Sequence, residues 1–541
     1  MRVLFLMRHA GFARNFESTL RLLAERDHEV HVAFDGPFAG AGARPGVVER
    51  LASEHASITF GPAPDRTLDP WFALGLRLRL GLDLLRYLTP PFADAPKLRS
   101  RVEARAGALV RALARVAARR PGGPAVLSRA LRALDAAVPV GSRTTEFVRA
   151  TAPDVLLVTP LVELGEPQTD FLRAARDLAI PTGLCVASWD NLTNKGRVSE
   201  LPDLVTVWNE AQRREAIELH GVPPERVVAT GAQTYDHWFD WSPSRDRSAF
   251  AAHVGLPAEV PFLLYLCSSV FIAPEEADFV RRWLSGLRRR PETALRSAGV
   301  LVRPHPQHAA QWCDADLRDL GPVAVWPPEG ADPVDPDSRR DYFDSIHHCA
   351  AVVGVNTSAL IESAIVGRPV FTYLAPEFRD SQAGIPHFAH LSEGGPLTLA
   401  ASYEDHAAQL AAALGADGDL GQGLAVRRSR STEDGARAFV RSFVRPHGLD
   451  TPATPRLVEA IEGLSRTRPP ASRRSPRVLV LRALMVPFAA LAWVDSALRV
   501  VVRATLARTL GLPLVGALVH RALPRPLAAD LARQSRLRPG R

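Results

Sequence analysis

The chain has 541 residues, of which 46% are hydrophobic and 23% charged, the balance of an ordinary soluble globular protein with two or three domains. Its net charge of +8 is uneven: from Arg466 onward there are 15 Arg, no Lys and two acidic residues, so that segment carries +13 and the rest of the chain −5. A uniformly basic chain would point to nucleic acid, whereas a basic tail on a mildly acidic body points to a surface anchor, so no nucleic-acid partner is expected. Four cysteines (Cys185, Cys267, Cys313, Cys349) stand far apart, with neither metal-ligand nor redox spacing. They read as reduced thiols in a cytoplasmic setting. The first apolar run, Val3–Met7, is too short for a signal peptide.

VLFLM (Val3–Met7) is a continuous apolar run and predicts a parallel-sheet strand. RHAGFAR follows as a loop, FESTLRLLAERD has helical spacing, and EVHVAF (Glu29–Phe34) is a second strand. This strand–helix–strand order predicts a parallel sheet with right-handed crossovers. Residues from about 68 to 143 are Leu-, Ala- and Arg-rich and predict a helical insertion. Its arginines read either as a solvated face or as contacts to an anionic surface. Alternation resumes at PDVLLVTP, continues through PTGLCVASWDNLTNKG and PDLVTVWN, and reaches PERVVATGAQTYD. The first domain is expected to cover 1–241.

A second series covers 242–445. VPFLLYLCSS (Val260–Ser269) and AGVLVRPHPQ (Ala298–Gln307) predict strands, each ending in a polar loop. In CAAVVGVNTSALIESAIVGRPVFTY (Cys349–Tyr373), a strand breaks on Asn356, Thr357 and Ser358, a helix follows, and RPVFTY is the next strand. Ligands of open α/β sheets bind outside the carboxyl ends of strands, and a helix start offers unpaired N–H groups to an anion. The bland reading of Asn-Thr-Ser is an N-cap. Glu362 completes no capping box from either hydroxyl, since Leu360 and Ile361 hold those positions. It is expected either to complement the helix dipole or to accept hydrogen bonds from a ribose diol. Arg303 and His305 of RPHP suit phosphate oxygens, and Ser268 and Ser269 end the first strand of this domain. Three polar strand ends together predict a nucleotide-diphosphate site.

In the order of these features the chain resembles glycosyltransferases of the GT-B fold over roughly residues 1–445. The nearest kinds are bacterial surface-polysaccharide and capsule transferases and the related CDP-glycerol glycerophosphotransferase and UDP-N-acetylglucosamine 2-epimerase group. The resemblance rests on R-x-H-P (Arg303, His305, Pro306) and on the Ser/Thr turn, acidic helix and G-[KR]-P-V (Thr357, Ser358, Glu362, Gly367, Arg368, Pro369). It implies an α/β protein with two Rossmann-like domains facing a cleft, the donor on the second domain and the acceptor on the first. It also implies a nucleotide-sugar as substrate, with no further cofactor and no bound metal, because helix dipole and basic side chains stabilise the leaving diphosphate.

An inverting transfer needs a base near the acceptor hydroxyl. His9, close to Gly11 in the first β–α loop, stands where many such enzymes place a catalytic His. Its alternative is a structural loop residue. Asp190 is the rival base, in a loop that also offers Asn191, Asn194 and Lys195 and that otherwise reads as an Asx-rich turn. Gly231 would let the chain turn at the cleft edge, or is simply a tight turn.

Residues 446–477 end in RTRPPASRRSPR and read as a linker. Residues 478–541 form a basic tail with two uncharged runs of 12 residues, Ala483–Val494 and Thr509–His520. A span needs ~20 residues, so the tail is expected to be an amphipathic helical anchor on anionic lipid, or a helix packed on the body, rather than a transmembrane helix. The function expected is transfer of a sugar from a nucleotide-sugar to a polysaccharide or lipid-linked acceptor at the cytoplasmic face of the membrane. A UDP-N-acetylhexosamine 2-epimerase and a non-catalytic nucleotide-sugar-binding scaffold are the alternatives.

Overall fold

The structure is a computed structural model and describes residues 1–36, 46–417, 434–470 and 476–509. The first sheet comprises β1 (Arg2–Met7), β2 (Glu29–Phe34), β3 (Ile58–Pro62), β4 (Val155–Thr159), β5 (Thr182–Cys185), β6 (Leu204–Val207) and β7 (Val227–Ala229). The second comprises β8 (Phe262–Leu266), β9 (Gly299–Arg303), β10 (Val323–Val325), β11 (Ala351–Gly354), β12 (Val370–Tyr373) and β13 (Leu397–Ala400). Their orders are β3-β2-β1-β4-β5-β6-β7 and β10-β9-β8-β11-β12-β13. All pairings are parallel. The chain is therefore an α/β protein of two doubly wound, Rossmann-like domains.

Each sheet reverses direction once, between β1 and β4 and between β8 and β11. At such a switch point two neighbouring loops leave the strand ends in opposite directions and open a crevice. Central strands β1, β4, β8 and β11 are buried apart from Arg2 at the start of β1. Continuous apolar runs such as Val3–Met7 suit strands covered on both faces.

The helices that bear on the site are α1 (Glu17–Glu25), α2 (Pro70–Arg86), α3 (Ala108–Ala118), α4 (Gly123–Ala137), α5 (Glu276–Arg288), α6 (Pro336–His348), α7 (Ala359–Ile365), α8 (Ala453–Ser465) and α9 (Pro476–Thr509). Helices α2, α3 and α4 belong to the insertion. Asp69 caps α2 by accepting from the amides of Trp71 and Phe72, and Pro70 opens it. The expectation for the insertion's arginines needs correction at Arg79 and Arg86, which are only 1% and 6% exposed. Arg79 pairs with Asp135 at 3.3 Å and gives its Nε–H to the carbonyl of Gly165 at 2.9 Å. Arg86 donates to the carbonyls of Leu192, Lys195 and Gly196. A buried guanidinium must spend its donors on protein acceptors.

Two further expectations change. Residues 446–477 are not simply a linker, because α8 crosses back and places Leu457, Val458, Ile461 and Leu464 in the core of the first domain. That return explains Gly231. Its φ is +96°, and a Cβ there would lie 2.7 Å from the Cβ of Ala453. It serves the close approach of the returning chain, not the cleft. The tail also differs. Helix α9 runs unbroken through both Arg482 and Pro487, and Pro476–Ser496 is long and apolar enough to cross a membrane by length and composition. Arginine is a good helix former and does not interrupt it, and Nε–H of Arg482 turns back to the carbonyl of Ala137 at 3.1 Å. The described part is apolar on nearly all sides rather than amphipathic. The second apolar run lies outside the described residues from position 510.

Ile461→Ala should lower the unfolding free energy by about 2–5 kcal/mol, as for other buried aliphatic truncations. Urea unfolding checks this, since a residue in a linker would shift stability by less than about 0.5 kcal/mol.

Candidate active site

The second domain's switch point brings together the ends of β8 and β11. Ser268 Oγ lies 3.4 Å from the amide of Asn356, which donates to it. The amide of Ser268 gives its hydrogen to the Glu276 carboxyl at the start of α5, at 2.8 Å and 3.1 Å to its two oxygens. Burial pushes that carboxyl up to about 8, against hydrogen bonds from Ser268 and Tyr265. Ser268 is thus wholly buried and forms the floor of the crevice. This corrects its expected role as a direct donor contact, since both its amide and its hydroxyl are engaged within the protein.

Arg303 needs the same correction. Its side chain leaves the end of β9 toward α6, donates to Ser345 Oγ at 2.6 Å, and lies 3.6 Å from Asp341. Its guanidinium carbon stands 5.1 Å from the Tyr342 ring centroid, and its side chain is 6% exposed. It braces α6 rather than reaching into the crevice. Tyr342 in turn donates its hydroxyl hydrogen to Glu362. Glu362, half-buried on α7, is pushed up to about 7 by burial, opposed by that hydrogen bond and by the nearby charge of Arg14.

The groups left facing the crevice are Ser269, His305, Thr357, Ser358 and Glu362, all half-buried or exposed. Ser358 makes no side-chain capping bond, and Thr357 Oγ1 accepts only a long one, 3.4 Å, from Ala359. The capping reading is therefore weakly realised. Asn356 is buried, gives its Nδ2 hydrogen to the Ser381 carbonyl at 2.8 Å, and leaves Oδ1 without a partner. His305 Nδ1 accepts from the Gln307 amide at 3.2 Å, which puts the neutral ring's proton on Nε2. Burial pulls His305 down to about 4, with Asp332 opposing and Arg14 and His308 assisting.

Across the gap, the first domain's switch point holds His9 after β1 and the loop 160–166 after β4. His9 is exposed to the cleft and its ring folds over Gly11, where an added Cβ would come within 3.1 Å of Nδ1. Phe12 supports the ring at 4.7 Å. Burial lowers the pKa of His9; Glu163 opposes, and Arg8, Lys195 and Arg14 assist. Glu163 itself is 3.6 Å from the Lys195 ammonium. Its own burial is outweighed by Lys195, Arg8 and the insertion's Arg105 and Arg101, so it stays ionised. The arrangement is a neutral imidazole, able to accept a proton, beside a carboxylate that stabilises the imidazolium it would become.

Asp190 is a poorer base. Burial raises its pKa, but Lys195, His387 and hydrogen bonds from Ser188 and Asn194 outweigh that and bring it to about 2. The donors lie at 2.6 Å and 2.9 Å. A group so acidic holds a proton weakly, and Asp190 instead orders its loop through side-chain donors, without the side-chain-to-backbone bond of an Asx turn. Asn191 orders it too, through its Oδ1, which accepts from the Ala187 amide at 3.2 Å. The Lys195 ammonium lies 5.9 Å from the Phe12 ring centroid.

The sequence reading missed Glu163, Arg14 and Asp332. Arg14 extends from the turn after His9 and pairs with Asp332 of the second domain. Both lie near enough to Glu362 and His305 to act on their charge. Glu17 of α1 and Arg339 of α6 add a second bridge at 2.6 Å. None of these sits in a motif. Only the reversal of both sheets beside β1 and β8 brings them together.

Glu163→Gln should lower the pKa of His9, because the carboxylate that favours the imidazolium is removed while Arg8, Lys195 and Arg14 remain. Proton NMR of the His9 ring checks this, with its titration midpoint moving down in pH. Glu362→Gln should stabilise the unliganded protein above about pH 7. A carboxyl with a raised pKa favours the fold when protonated, and that advantage is lost as pH rises from its ordinary value toward about 7. Thermal melting at pH 5 and pH 8 checks this, with the gain expected only at the higher pH.

No family model and no curated protein matches the sequence. Solved structures do show similarity. The chain is 12% identical to the UDP-GlcNAc 2-epimerase from Neisseria meningitidis bound to UDP-GlcNAc, with a TM-score of 0.46, over 86% of this chain and 100% of that one. It is 12% identical to HepE from Anabaena in complex with UDP, with a TM-score of 0.46, over 86% and 100%. It is 9% identical to a glycosyltransferase from Rickettsia africae, with a TM-score of 0.46, over 86% and 99%. All lie well below 25% identity, so the functional reading rests on this chain's own residues.

Proposed function

We propose that the protein is a glycosyltransferase that moves a sugar from a nucleotide-sugar to a surface-polysaccharide or lipid-linked acceptor at the inner face of the membrane. The observation that carries this is the meeting of two switch points across one cleft, with His305, Thr357, Ser358 and Glu362 on one side and His9 on the other. The nucleoside diphosphate would lie on the second domain, its ribose hydroxyls donating to Glu362. Its phosphates would be met by His305 Nε2–H, the hydroxyls of Thr357 and Ser358, and Arg14. Hydrogen-bond donors at the leaving diphosphate, with Arg14 as the one cation among them, would support bond cleavage without a further cofactor.

His9 takes the proton of the acceptor hydroxyl as that oxygen bonds to the sugar's anomeric carbon. The bond from that carbon to the diphosphate oxygen breaks, and its electron pair leaves with the diphosphate. Glu163 offsets the positive charge that appears on His9. Proton transfer of this kind contributes about 10²–10⁴-fold, which sets the scale of loss expected at His9.

Thermal shift against UDP, GDP, CDP, ADP and dTDP tests the donor site. One nucleotide should raise the melting temperature, since it binds only the folded state, and Glu362→Ala should abolish the shift. A shift that survives in the variant would move the donor elsewhere. Absence of any shift, or conversion of UDP-N-acetylhexosamine to its 2-epimer without acceptor, would replace this reading by the scaffold or the epimerase.

A further inference from the structure

Helix α9 is covered along one narrow stripe. Val478, Leu481, Met485, Ala489 and Ala492, at helical spacing, pack against Ala73 and Leu74 of α2 and Ala137 and Val138 of the α4 end. Arg77 of α2 donates to the Ala492 carbonyl at 2.7 Å and to Asp495 at 2.5 Å. The rest of the circumference is bare. Leu479, Leu484, Phe488, Leu491 and Leu498 are 55%, 65%, 60%, 66% and 59% exposed, and Trp493 is 39% exposed. A helix apolar all round is stable only when something apolar surrounds it.

The chemistry around this face selects its occupant. The outer face offers almost no hydrogen-bonding side chains with which a protein partner could be ordered; the Trp493 indole suits the water–lipid boundary. Exposed Arg466, Arg468 and Arg477 precede it. Arg499, Arg503 and Arg508 follow in sequence, with no Lys and few acids in the whole tail. Cations before and after the apolar stretch in sequence match anionic headgroups over acyl chains, at about 1 kcal/mol per cation near the surface. A spanning orientation is disfavoured. It would tear the stripe from α2 and α4 and carry Arg482 and Asp495 into hydrocarbon, at about 2.5–3.5 kcal/mol for each charge.

We propose that α9 is a monotopic membrane-docking element: its stripe stays on the insertion while its outer face lies in the headgroup–acyl boundary of an anionic bilayer. This deepens the membrane contact of the proposed function and stands apart from the nucleotide site.

The test is co-sedimentation of the full chain with phosphatidylcholine vesicles, with and without phosphatidylglycerol. Binding is expected to the anionic vesicles, to be released by alkaline carbonate, and to weaken at least about tenfold in Leu484→Glu/Leu491→Glu. That variant should keep its circular dichroism and its nucleotide-induced thermal shift, and Glu362→Ala should bind vesicles as the wild type does. A failed nucleotide reading would therefore leave the lipid result intact. Absence of vesicle binding would overturn the proposal, as would binding that resists carbonate, which would mean a span. So would a wild-type dimer made monomeric by the double variant with no lipid binding, which would assign the face to a second copy.

Discussion

The cleft depends on the arginines that α2 sends inward. Arg79 and Arg86 hold the carbonyls of Gly165, Leu192, Lys195 and Gly196, and Asp83 of the same helix accepts from the amides of Gly165 and Arg197, both at 2.8 Å. Tyr87 adds its hydroxyl to the Lys195 carbonyl at 2.6 Å. The loops so held carry Glu163, Asp190 and Lys195. Irregular backbone can be buried only if its polar groups are paired, and here the insertion supplies several of the partners. Removing one such guanidinium would strand several buried acceptors at once.

The carboxylates of the site divide by environment. Asp190 meets a cation and three side-chain donors and stays charged well below its ordinary range. Glu276, given only backbone and hydroxyl partners deep beneath β8, is pushed the other way to about 8. Glu362 falls between, at about 7, half-buried with one phenol donor. Its position leaves it sensitive to what enters the crevice. A ligand that brings hydroxyl donors to its oxygens favours the carboxylate, and one that brings only negative charge disfavours it.

Much of the architecture was legible in the chain. Apolar runs such as Val3–Met7, Val155–Thr159 and Ala351–Gly354 announce buried parallel strands, and the polar residues just after them mark strand ends. The short edge strands Ile58–Pro62 and Leu397–Ala400 were not legible, because edge positions need no continuous apolar run. The direction of side chains was the harder part. Ser268 and Arg303 stand at the right strand ends but turn inward, toward Glu276 and Asp341, partners remote from any motif. Glu163 and Arg14 carry no local signal at all, since their significance arises only from the loops they meet across the cleft. In the tail, counting uncharged runs split at Arg482 what the helix keeps whole, because arginine is a good helix former, and its side chain there folds back onto Ala137.

Helix α2 touches two things at once. Its first half, through Ala73, Leu74 and Arg77, carries α9, and its second half, through Arg79, Asp83 and Arg86, fastens the cleft loops. Arg77, of the one kind, and Arg79, of the other, are only two positions apart, about 3 Å of helix rise. A single helix therefore joins the packing of α9 to the support of the cleft loops. Whatever free energy one binding event transmits along it to the other must be returned in equal amount, because such coupling is reciprocal. A surface that steadies the loops of the cleft is, by the same sum, held more firmly when the cleft is filled.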